Sequence, residues 1–165
     1  MSEDTNIIER APVESAGATA DLGDLATNAA AACIALRVRR MSRIVTRVYD
    51  DALRPLGITA SQFTLLTALA QQDGVTAAEI GYNLDIEKST LSRNLKRLLN
   101  LEHIIMDPPA GRRGRGLHLT AKGRKVIRDA FPVWQTAQRR AIAVMGAGSR
   151  DTLDTLLAQA EKLAA

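Results

Sequence analysis

Apolar residues recur at steps of three and four along most of this chain, and the stretches between them carry residues that begin or end helices. One long helix is predicted over residues 25–53, because that spacing places its apolar side chains on one side. Pro55 ends it, since proline cannot continue a helix. Thr59 is suited to cap the helix that follows. The first part of the chain is therefore predicted to be helical.

Residues 76–101 predict two short helices joined by a tight turn. Thr76 and Glu79 have the spacing of a capping box, in which the hydroxyl and the carboxylate satisfy backbone N–H groups at a helix start. Residues 83–85, Asn-Leu-Asp, favour a turn because such side chains compete for backbone hydrogen bonds. The second helix follows near Glu87, and its leucines form one apolar stripe. The stripe consists of Leu91, Leu95, Leu98 and Leu99. This pattern predicts a helix-turn-helix.

The side of the second helix that faces away from its leucines carries hydroxyl and cationic side chains. They are Ser89, Thr90, Arg93, Lys96 and Arg97, with Ser92 on the flank and Lys88 at the helix start. No acidic residue lies between Glu87 and Glu102, although solvated helix faces usually mix both charges. A DNA major groove offers base-edge acceptors to Arg, Ser and Thr, and phosphates to Lys and Arg. A recognition helix is predicted, and an ordinary surface helix is the alternative that this helix alone leaves open.

Two short β-like runs follow, Ile104–Met106 and Leu117–Leu119, with a loop rich in proline, glycine and arginine between them. This arrangement predicts a hairpin, or wing. Three arginines lie near its tip: Arg112, Arg113 and Arg115. A guanidinium in such a position can enter the narrow, negative minor groove of DNA. A basic helix followed directly by a wing is typical of a DNA-binding domain, and a solvated loop is the alternative.

Two further helices are predicted after the wing. Thr120 is placed to cap a long helix that extends to about Met145, and Ser149 begins the last one. The last helix carries an apolar stripe formed by Leu153, Leu156, Leu157, Ala160 and Leu163. These helices exceed what a lone helix-turn-helix domain needs, and an apolar stripe without a partner in its own chain must be buried elsewhere. Together with the first helix they predict a dimerisation region.

The charge is distributed unevenly along the chain. The formal net charge is +4, and the isoelectric point is about 9.6. Residues 76–128 hold eleven Lys and Arg against five Asp and Glu, whereas residues 1–25 hold one Arg against six Asp and Glu. The basic excess coincides with the predicted helix-turn-helix and wing, as expected of a protein that neutralises phosphates. Residues 1–25 lack apolar periodicity and predict a flexible acidic tail.

The composition argues against several other classes of protein. One cysteine excludes an intramolecular disulfide framework, and His103 and His118 have no second cysteine with which to bind zinc. The sequence offers no plausible nucleophile–base pair, metal cluster or glycine-rich phosphate loop, so neither an enzyme nor a cofactor is expected. No signal peptide or long apolar run is recognised, so a cytoplasmic protein without a membrane partner is expected.

Three segments resemble the MarR (multiple antibiotic resistance regulator) family of winged helix-turn-helix repressors. They are LRPLGITASQFTLLTAL at 53–69, TAAEIGYNLDIEKSTLSRNLKRL at 76–98 and RRGRGLHLTAKG at 112–123. The resemblance covers the chain from about residue 30 to its end, and LTxKG after a pair of wing arginines is a specific combination. It implies a homodimer that binds pseudo-palindromic operators in double-stranded DNA. It further implies release on binding small anionic or phenolic effectors, or on cysteine oxidation.

The resemblance also implies roles for particular residues. Residues 87–101 become the major-groove reader, Arg112-Arg113 the wing pair, and Cys33 a candidate redox sensor, with a buried apolar role as the alternative for Cys33. The chain departs from the family pattern at Gly111, where an Asp is usual, and at Glu102, where a Gly usually follows the recognition helix. Candidate effector contacts in the first helix, where a solvated face is the alternative, are Arg37, Arg40 and Tyr49.

The sequence thus predicts a mainly α protein with a small two- to three-stranded β-wing, organised as a winged helix-turn-helix domain with N- and C-terminal dimerisation helices. The predicted divisions are a flexible acidic tail (1–25), the first helix of the dimerisation region (26–54), the DNA-binding domain (55–120) and the C-terminal dimerisation helices (121–165). The predicted function is that of a sequence-specific DNA-binding transcriptional regulator, most often a repressor. The alternative is a winged-helix protein-interaction module without a specific DNA site.

Overall fold

The structure, a computed structural model, describes residues 21–108 and 114–163. The wing-tip residues Arg112 and Arg113 lie outside the described residues, as does most of the predicted acidic tail. Contacts between residues divide the chain into two units, 1–45 and 46–165. The elements, in chain order, are α1 (Leu22–Ala32), α2 (Ile34–Leu53), α3 (Ala60–Gln71), α4 (Ala77–Asn83), α5 (Lys88–Asn100), β1 (Ile104–Met106), β2 (Leu117–Leu119), α6 (Ala121–Met145) and α7 (Ser149–Ala160). Short 3-10 turns occupy Arg54–Leu56 and Glu161–Leu163.

Helix α1 begins earlier than the sequence pattern predicts. The Asp21 side chain accepts a hydrogen bond from the Gly23 N–H at 3.3 Å and caps the helix. The helix therefore starts at Leu22, within the stretch assigned to the flexible tail. An aspartate in this position satisfies a backbone N–H that a helix start would otherwise leave unpaired.

The single long helix predicted over residues 25–53 is wrong, because the chain breaks at Cys33. This residue has extended backbone, with φ −68° and ψ 110°, and separates α1 from α2. Its Sγ atom accepts the N–H of Leu36 at 3.4 Å. The Arg37 guanidinium donates to the carbonyls of Cys33, at 3.1 Å, and Ala31. Side chains thus satisfy backbone groups that an uninterrupted helix would pair internally.

The part of α2 that belongs to the first unit leaves its apolar side exposed. Ile34 is 76% exposed and Val38 is 53% exposed, and Met41 and Ile44 are also exposed. The spacing that predicts burial is therefore present, but the side chains it concerns are exposed among the described residues.

The second unit is built around one apolar core. Helix α3 starts with a capping box in which the Thr59 hydroxyl accepts the Gln62 N–H and the Gln62 side chain accepts the Thr59 N–H. Its apolar side meets residues from α5, β2 and α6. The largest fully buried side chains are Leu53, Leu65, Leu66, Leu69, Leu98, Ile104 and Leu117. The core therefore fixes α5 and the wing to the same support.

The predicted helix-turn-helix is confirmed. The Thr76 hydroxyl accepts the Glu79 N–H at 3.3 Å, and the Glu79 carboxylate accepts the Thr76 N–H at 2.8 Å, which completes the predicted capping box. The turn between α4 and α5 includes Asp85 with a positive φ of 49°, a conformation that aspartate tolerates better than most residues. Helix α5 then begins at Lys88.

The predicted wing strands are confirmed residue for residue. Strands β1 and β2 pair antiparallel, with Ile104 opposite Leu119 and Met106 opposite Leu117. Strand β2 also bonds the segment before α4, since the Leu117 N–H donates to the Val75 carbonyl at 2.9 Å and the Gly74 N–H donates to the Leu117 carbonyl at 3.0 Å. The wing is therefore joined by backbone hydrogen bonds to the start of the helix-turn-helix.

The turn after α5 places Glu102 at a φ of 57°, in the left-handed region that favours glycine. The Thr120 hydroxyl donates to the Glu102 carbonyl at 2.7 Å, and Lys122 lies 3.3 Å from the Glu102 carboxylate. Glu102 thus has the conformation of the glycine that the family resemblance leads one to expect, and tertiary contacts hold it there.

Helices α6 and α7 complete the second unit. The Thr120 side chain caps α6 by accepting the Gly123 N–H at 2.9 Å, and α6 continues past Pro132 to Met145. Leu156 and Leu157 of α7 are more than half exposed, as is Val144 near the end of α6. Among the described residues, none of these helices is long and apolar enough to cross a membrane.

Candidate nucleic-acid interface

The packing of α5 determines which of its side chains face solvent. Leu91, Leu95 and Leu98 are buried in the core, so the opposite side of the helix points outward. The predicted DNA contacts on that side are exposed, apart from the half-buried Thr90: Lys88, Ser89, Ser92, Arg93, Lys96 and Arg97. The side of α5 that the leucine spacing predicts to face solvent is therefore the side that faces solvent in the structure.

Three of the predicted base-reading side chains contact one another. Arg93 donates from Nε to the Ser89 carbonyl at 3.2 Å, and from one terminal nitrogen to the Thr90 hydroxyl at 3.3 Å and the Ser89 hydroxyl at 3.4 Å. These bonds are long, exposed and confined to one helix, so they hold the guanidinium along α5 weakly. Arg93 can exchange them for a base edge at little cost.

Glu87, the first residue of the predicted major-groove reader, was not assigned a contact of its own from the sequence. Its carboxylate accepts the N–H groups of Ser89, at 2.9 Å, and Thr90, at 3.1 Å, and also the Ser89 hydroxyl. The Ser89 hydroxyl, followed by the two backbone N–H groups, lowers the pKa of Glu87. Glu87 therefore stays charged, orients Ser89 and fixes the start of α5. The rarity of glutamate as a helix cap is why the sequence pattern did not reveal it.

The cations of this surface form no ion pair with any carboxylate that the structure describes. Within residues 21–108 and 114–163, no carboxylate lies within 4.0 Å of a charged nitrogen of Lys88, Arg93, Lys96, Arg97 or Arg115. Unpaired Lys and Arg on one helix face are suited to phosphate oxygens, which accept their hydrogen bonds and neutralise their charge.

The wing contributes Arg115 next to this surface. Its guanidinium donates to the Asp107 carbonyl and, at 3.4 Å, to the Met106 carbonyl. Arg115 is exposed, and its guanidinium is anchored to the hairpin backbone at the end of β1. Arg112 and Arg113 lie outside the described residues.

A cluster at the base of the wing was not predicted. The His118 ring of β2 contacts two carboxylates. Its Nδ1 lies 3.1 Å from an Asp73 carboxylate oxygen, and its Nε2 lies 3.1 Å from an Asp107 carboxylate oxygen. Asp73 precedes α4, and Asp107 follows β1. The separations of these residues along the chain follow no helical or strand period, so no local pattern could have joined them.

A groove of about 850 Å³ lies between α4 and α5. Leu91, Leu95 and Leu99 contribute apolar surface, and the side chains of Lys88 and Lys96 also line it. Apolar walls with a few charged groups at the edge are typical of small-molecule sites.

The candidate effector and redox residues lie on or next to α2. Arg37 is exposed and bonds the carbonyls at the α1–α2 break, and Arg40 is exposed nearby. Tyr49, nine residues further along α2, donates its hydroxyl to the Gln138 side chain, and burial raises its pKa. Cys33 is half-buried and is a free thiol. Within the part of the chain that the structure describes, no group of three or more His, Cys, Asp or Glu is arranged to hold a metal ion.

Together, a buried leucine stripe behind an exposed basic helix and an attached two-stranded wing define a winged helix-turn-helix protein with a DNA-binding type of surface. Residues 56–114 match the MarR family. The transcriptional regulator MosR of M. tuberculosis is 31% identical, with a TM-score of 0.70, over 81% of this chain and 98% of that chain. This chain belongs to the MarR family.

Two more solved structures and one repressor are also similar to this chain. MosR has a second crystal structure in complex with DNA, which is 31% identical with a TM-score of 0.69 over 79% of this chain and 98% of that one. The HTH-type transcriptional repressor Rv2887 of Mycobacterium tuberculosis is 28% identical over 106 residues, which is 63% of this chain and 76% of the repressor. A crystal structure of Rv2887 in complex with p-aminosalicylic acid is 25% identical, with a TM-score of 0.57, over 81% of this chain and all of that chain.

Proposed function

We propose that this protein is a homodimeric transcriptional repressor that binds a pseudo-palindromic operator in double-stranded DNA. The observation that carries the proposal is the outward face of α5, whose exposed hydroxyls and unpaired cations stand on a rigid leucine stripe beside the wing. The DNA complex of MosR and the repressor function of Rv2887 support it.

The contacts divide by chemistry. Ser89, Thr90, Ser92 and Arg93 are proposed to reach base edges, because hydroxyls and guanidinium match the acceptors of the major groove. Lys88, Lys96 and Arg97 are proposed to bind phosphates. A wing arginine enters the minor groove, with Arg112 favoured over Arg113 and Arg115, since Arg115 already bonds the carbonyls at the end of β1.

The dimer is supported by large apolar side chains that are exposed among the described residues. Most of them lie in α1, α2, α6 and α7, and Tyr82 of α4 and Ile105 of β1 are the two in the DNA-binding domain. Packing these apolar side chains against a second copy of the chain removes them from water and gives the assembly two-fold symmetry. Two copies of α5 then enter successive major grooves about 10 bp apart, which explains a pseudo-palindromic site.

Selection of binding sites from random duplexes tests the proposal. The expected result is an inverted repeat that the protein binds at least about 10³-fold more tightly than random DNA. Affinity is expected to fall steeply as salt rises, because counterions leave the phosphates on binding. A winged-helix protein-interaction module predicts the opposite: no enriched sequence and no steep salt dependence.

Release by a small aromatic anion is the second part of the proposal, supported by the p-aminosalicylic acid complex of Rv2887. Two places are proposed for it: Arg37, Arg40 and Tyr49 of α2, and the groove between α4 and α5. Calorimetric titration of the free protein with p-aminosalicylate distinguishes them. Loss of affinity by about tenfold in Arg40→Ala indicates the α2 site, and the same loss in Lys88→Ala indicates the groove. If the titration of the parent protein with p-aminosalicylate releases no heat, small aromatic anions are excluded as effectors.

Release by oxidation is the third part, and it concerns Cys33. Peroxide treatment is expected to abolish operator binding by the parent protein and to leave a Cys33→Ser variant unaffected, because only a thiol can be oxidised to sulfenic acid or a disulfide. Operator binding that survives peroxide in the parent, measured by fluorescence anisotropy, would exclude a sensing role.

A further inference from the structure

Three separate segments of the chain meet at His118. Its imidazole stands on β2, in the middle of the wing strand that follows the tip. Nδ1 lies 3.1 Å from the Asp73 carboxylate, in the loop that leads to the helix-turn-helix. Nε2 lies 3.1 Å from the Asp107 carboxylate, where the other wing strand ends. One ring therefore connects both sides of the wing with the segment that positions α4.

The protonation state of the ring decides how many of these contacts are favourable. Ionised carboxylates only accept hydrogen bonds, and neutral imidazole has one N–H donor, whereas imidazolium has two. Both contacts are therefore hydrogen bonds only when His118 is protonated. After deprotonation, one nitrogen lone pair faces a carboxylate oxygen, and that contact becomes repulsive.

The charged surroundings favour the protonated form. The hydrogen bonds to Asp73 and then to Asp107, together with the charges of these two groups, raise the pKa of His118 above its ordinary value of 6.5. Three cations lie near these groups, and within the described residues none of them forms an ion pair with Asp73 or Asp107. Arg115 bonds the backbone carbonyls of Met106 and Asp107, while Arg124 and Arg128 line a cavity that also contains Asp73.

We propose that His118 is a positioning residue for DNA binding: in its protonated form it clamps Asp73 and Asp107 and so fixes the wing relative to the helix-turn-helix. This proposal rests on the proposed DNA-binding function. The clamp acts together with the backbone bonds from β2 to Gly74 and Val75, which anchor the same loop, but it is the component of that junction that titrates.

The direction of the pH dependence follows from the raised pKa. The clamp contributes fully below pH 6.5, the ordinary pKa, and its contribution is lost as pH rises through the higher pKa of the folded protein. Asp73, Asp107 and His118 are all partly exposed, so solvent screens their interactions and their contribution to the free energy of unfolding is expected to be small. The effect is therefore expected on the placement of the wing rather than on folding.

The first measurement is the affinity for the selected operator between about pH 6 and about pH 8 at constant salt, which brackets the titration of histidine. The parent is expected to lose about two- to fivefold more affinity over this range than His118→Gln, the size of effect typical of exposed ion pairs. His103→Gln is the matched control, because His103 is the other histidine of the chain. Burial lowers its pKa, so the control is expected to keep the pH dependence of the parent.

The second measurement is an NMR titration of the imidazole in the free protein, which needs no DNA. His118 is expected to titrate above 6.5, and Asp73→Asn and Asp107→Asn are expected to lower its pKa. Asp154→Asn, which removes a carboxylate paired with Arg150 on α7, controls for the loss of one negative charge.

The two measurements separate the ways in which the proposal can fail. If His118 titrates at its ordinary pKa, and neither aspartate variant changes that pKa, the clamp is overturned irrespective of DNA binding. A raised pKa combined with identical pH profiles for the parent and His118→Gln overturns the positioning role. The absence of any selected operator, with the raised pKa intact, refutes the DNA-binding function and with it the positioning role.

Discussion

A Gly123→Ala variant is expected to lose about 3 kcal/mol of unfolding free energy, because overpacking against backbone cannot be relieved by a rotamer change. A Cβ atom at this position would lie 2.0 Å from the His103 carbonyl oxygen and 3.0 Å from its carbonyl carbon. The first turn of α6 and the turn after α5 would have to separate. Urea unfolding followed by circular dichroism measures the loss.

The sign of the effect is informative, because helix propensity alone predicts that alanine stabilises a helix by up to about 1 kcal/mol relative to glycine. Gly148→Ala is the matched control, since a Cβ there meets no atom within 4 Å. Its expected cost is at most about 1 kcal/mol, from replacing a glycine at a helix start. If Gly123→Ala has the same free energy of unfolding as the parent, the His103 carbonyl does not lie against Gly123 as described.

The second large effect is expected in DNA recognition. Replacing Arg93 by alanine is expected to reduce the discrimination between operator and mismatched sites by about 1–3 kcal/mol, because a guanidinium on a base edge distinguishes bases. Replacing Lys96 is expected to weaken binding to all sequences alike and to reduce the salt slope by about one. Fluorescence anisotropy with operator, mutated operator and random duplexes, each at several salt concentrations, measures both quantities.

Lys125→Ala provides the control for both variants. Lys125 lies on α6 and is paired with Asp129 at 2.6 Å, so its replacement removes one positive charge away from the α5 surface. Its affinity and salt slope are expected to match those of the parent. Equal losses by Arg93→Ala on operator and random DNA would show that Arg93 binds phosphate and does not read sequence.

The elements of the DNA-binding domain were predictable because each has a local signal. The Thr76–Glu79 capping box, the leucine stripe of α5 and the two apolar runs of the wing all describe contacts between neighbours in sequence. The outward direction of the α5 side chains followed from the same stripe. Which of these side chains bind bases and which bind phosphates stays a prediction.

The features that escaped prediction depend on contacts between distant residues or on atypical local chemistry. The break at Cys33 interrupts an apolar period that continues on both sides, and it is held by Arg37 on backbone carbonyls. The His118 cluster unites residues far apart in sequence. Glu87 caps α5 although glutamate is rare in that role. A sequence pattern records periodicity well, but it does not record which side chain satisfies a particular backbone group.

Thr120 holds the two ends of the wing together by hydrogen bonds. Its hydroxyl donates to the Glu102 carbonyl and accepts the Gly123 N–H, while its own N–H bonds the His103 carbonyl at 3.1 Å. One residue therefore ties the entry of the hairpin to its exit. A loop whose ends are already fixed tolerates insertions and deletions at a small entropic cost. Changes of length and sequence in the segment between β1 and β2 are thus tolerated best away from Asp107, which contacts His118, and Gly116, whose carbonyl accepts the Asp107 N–H.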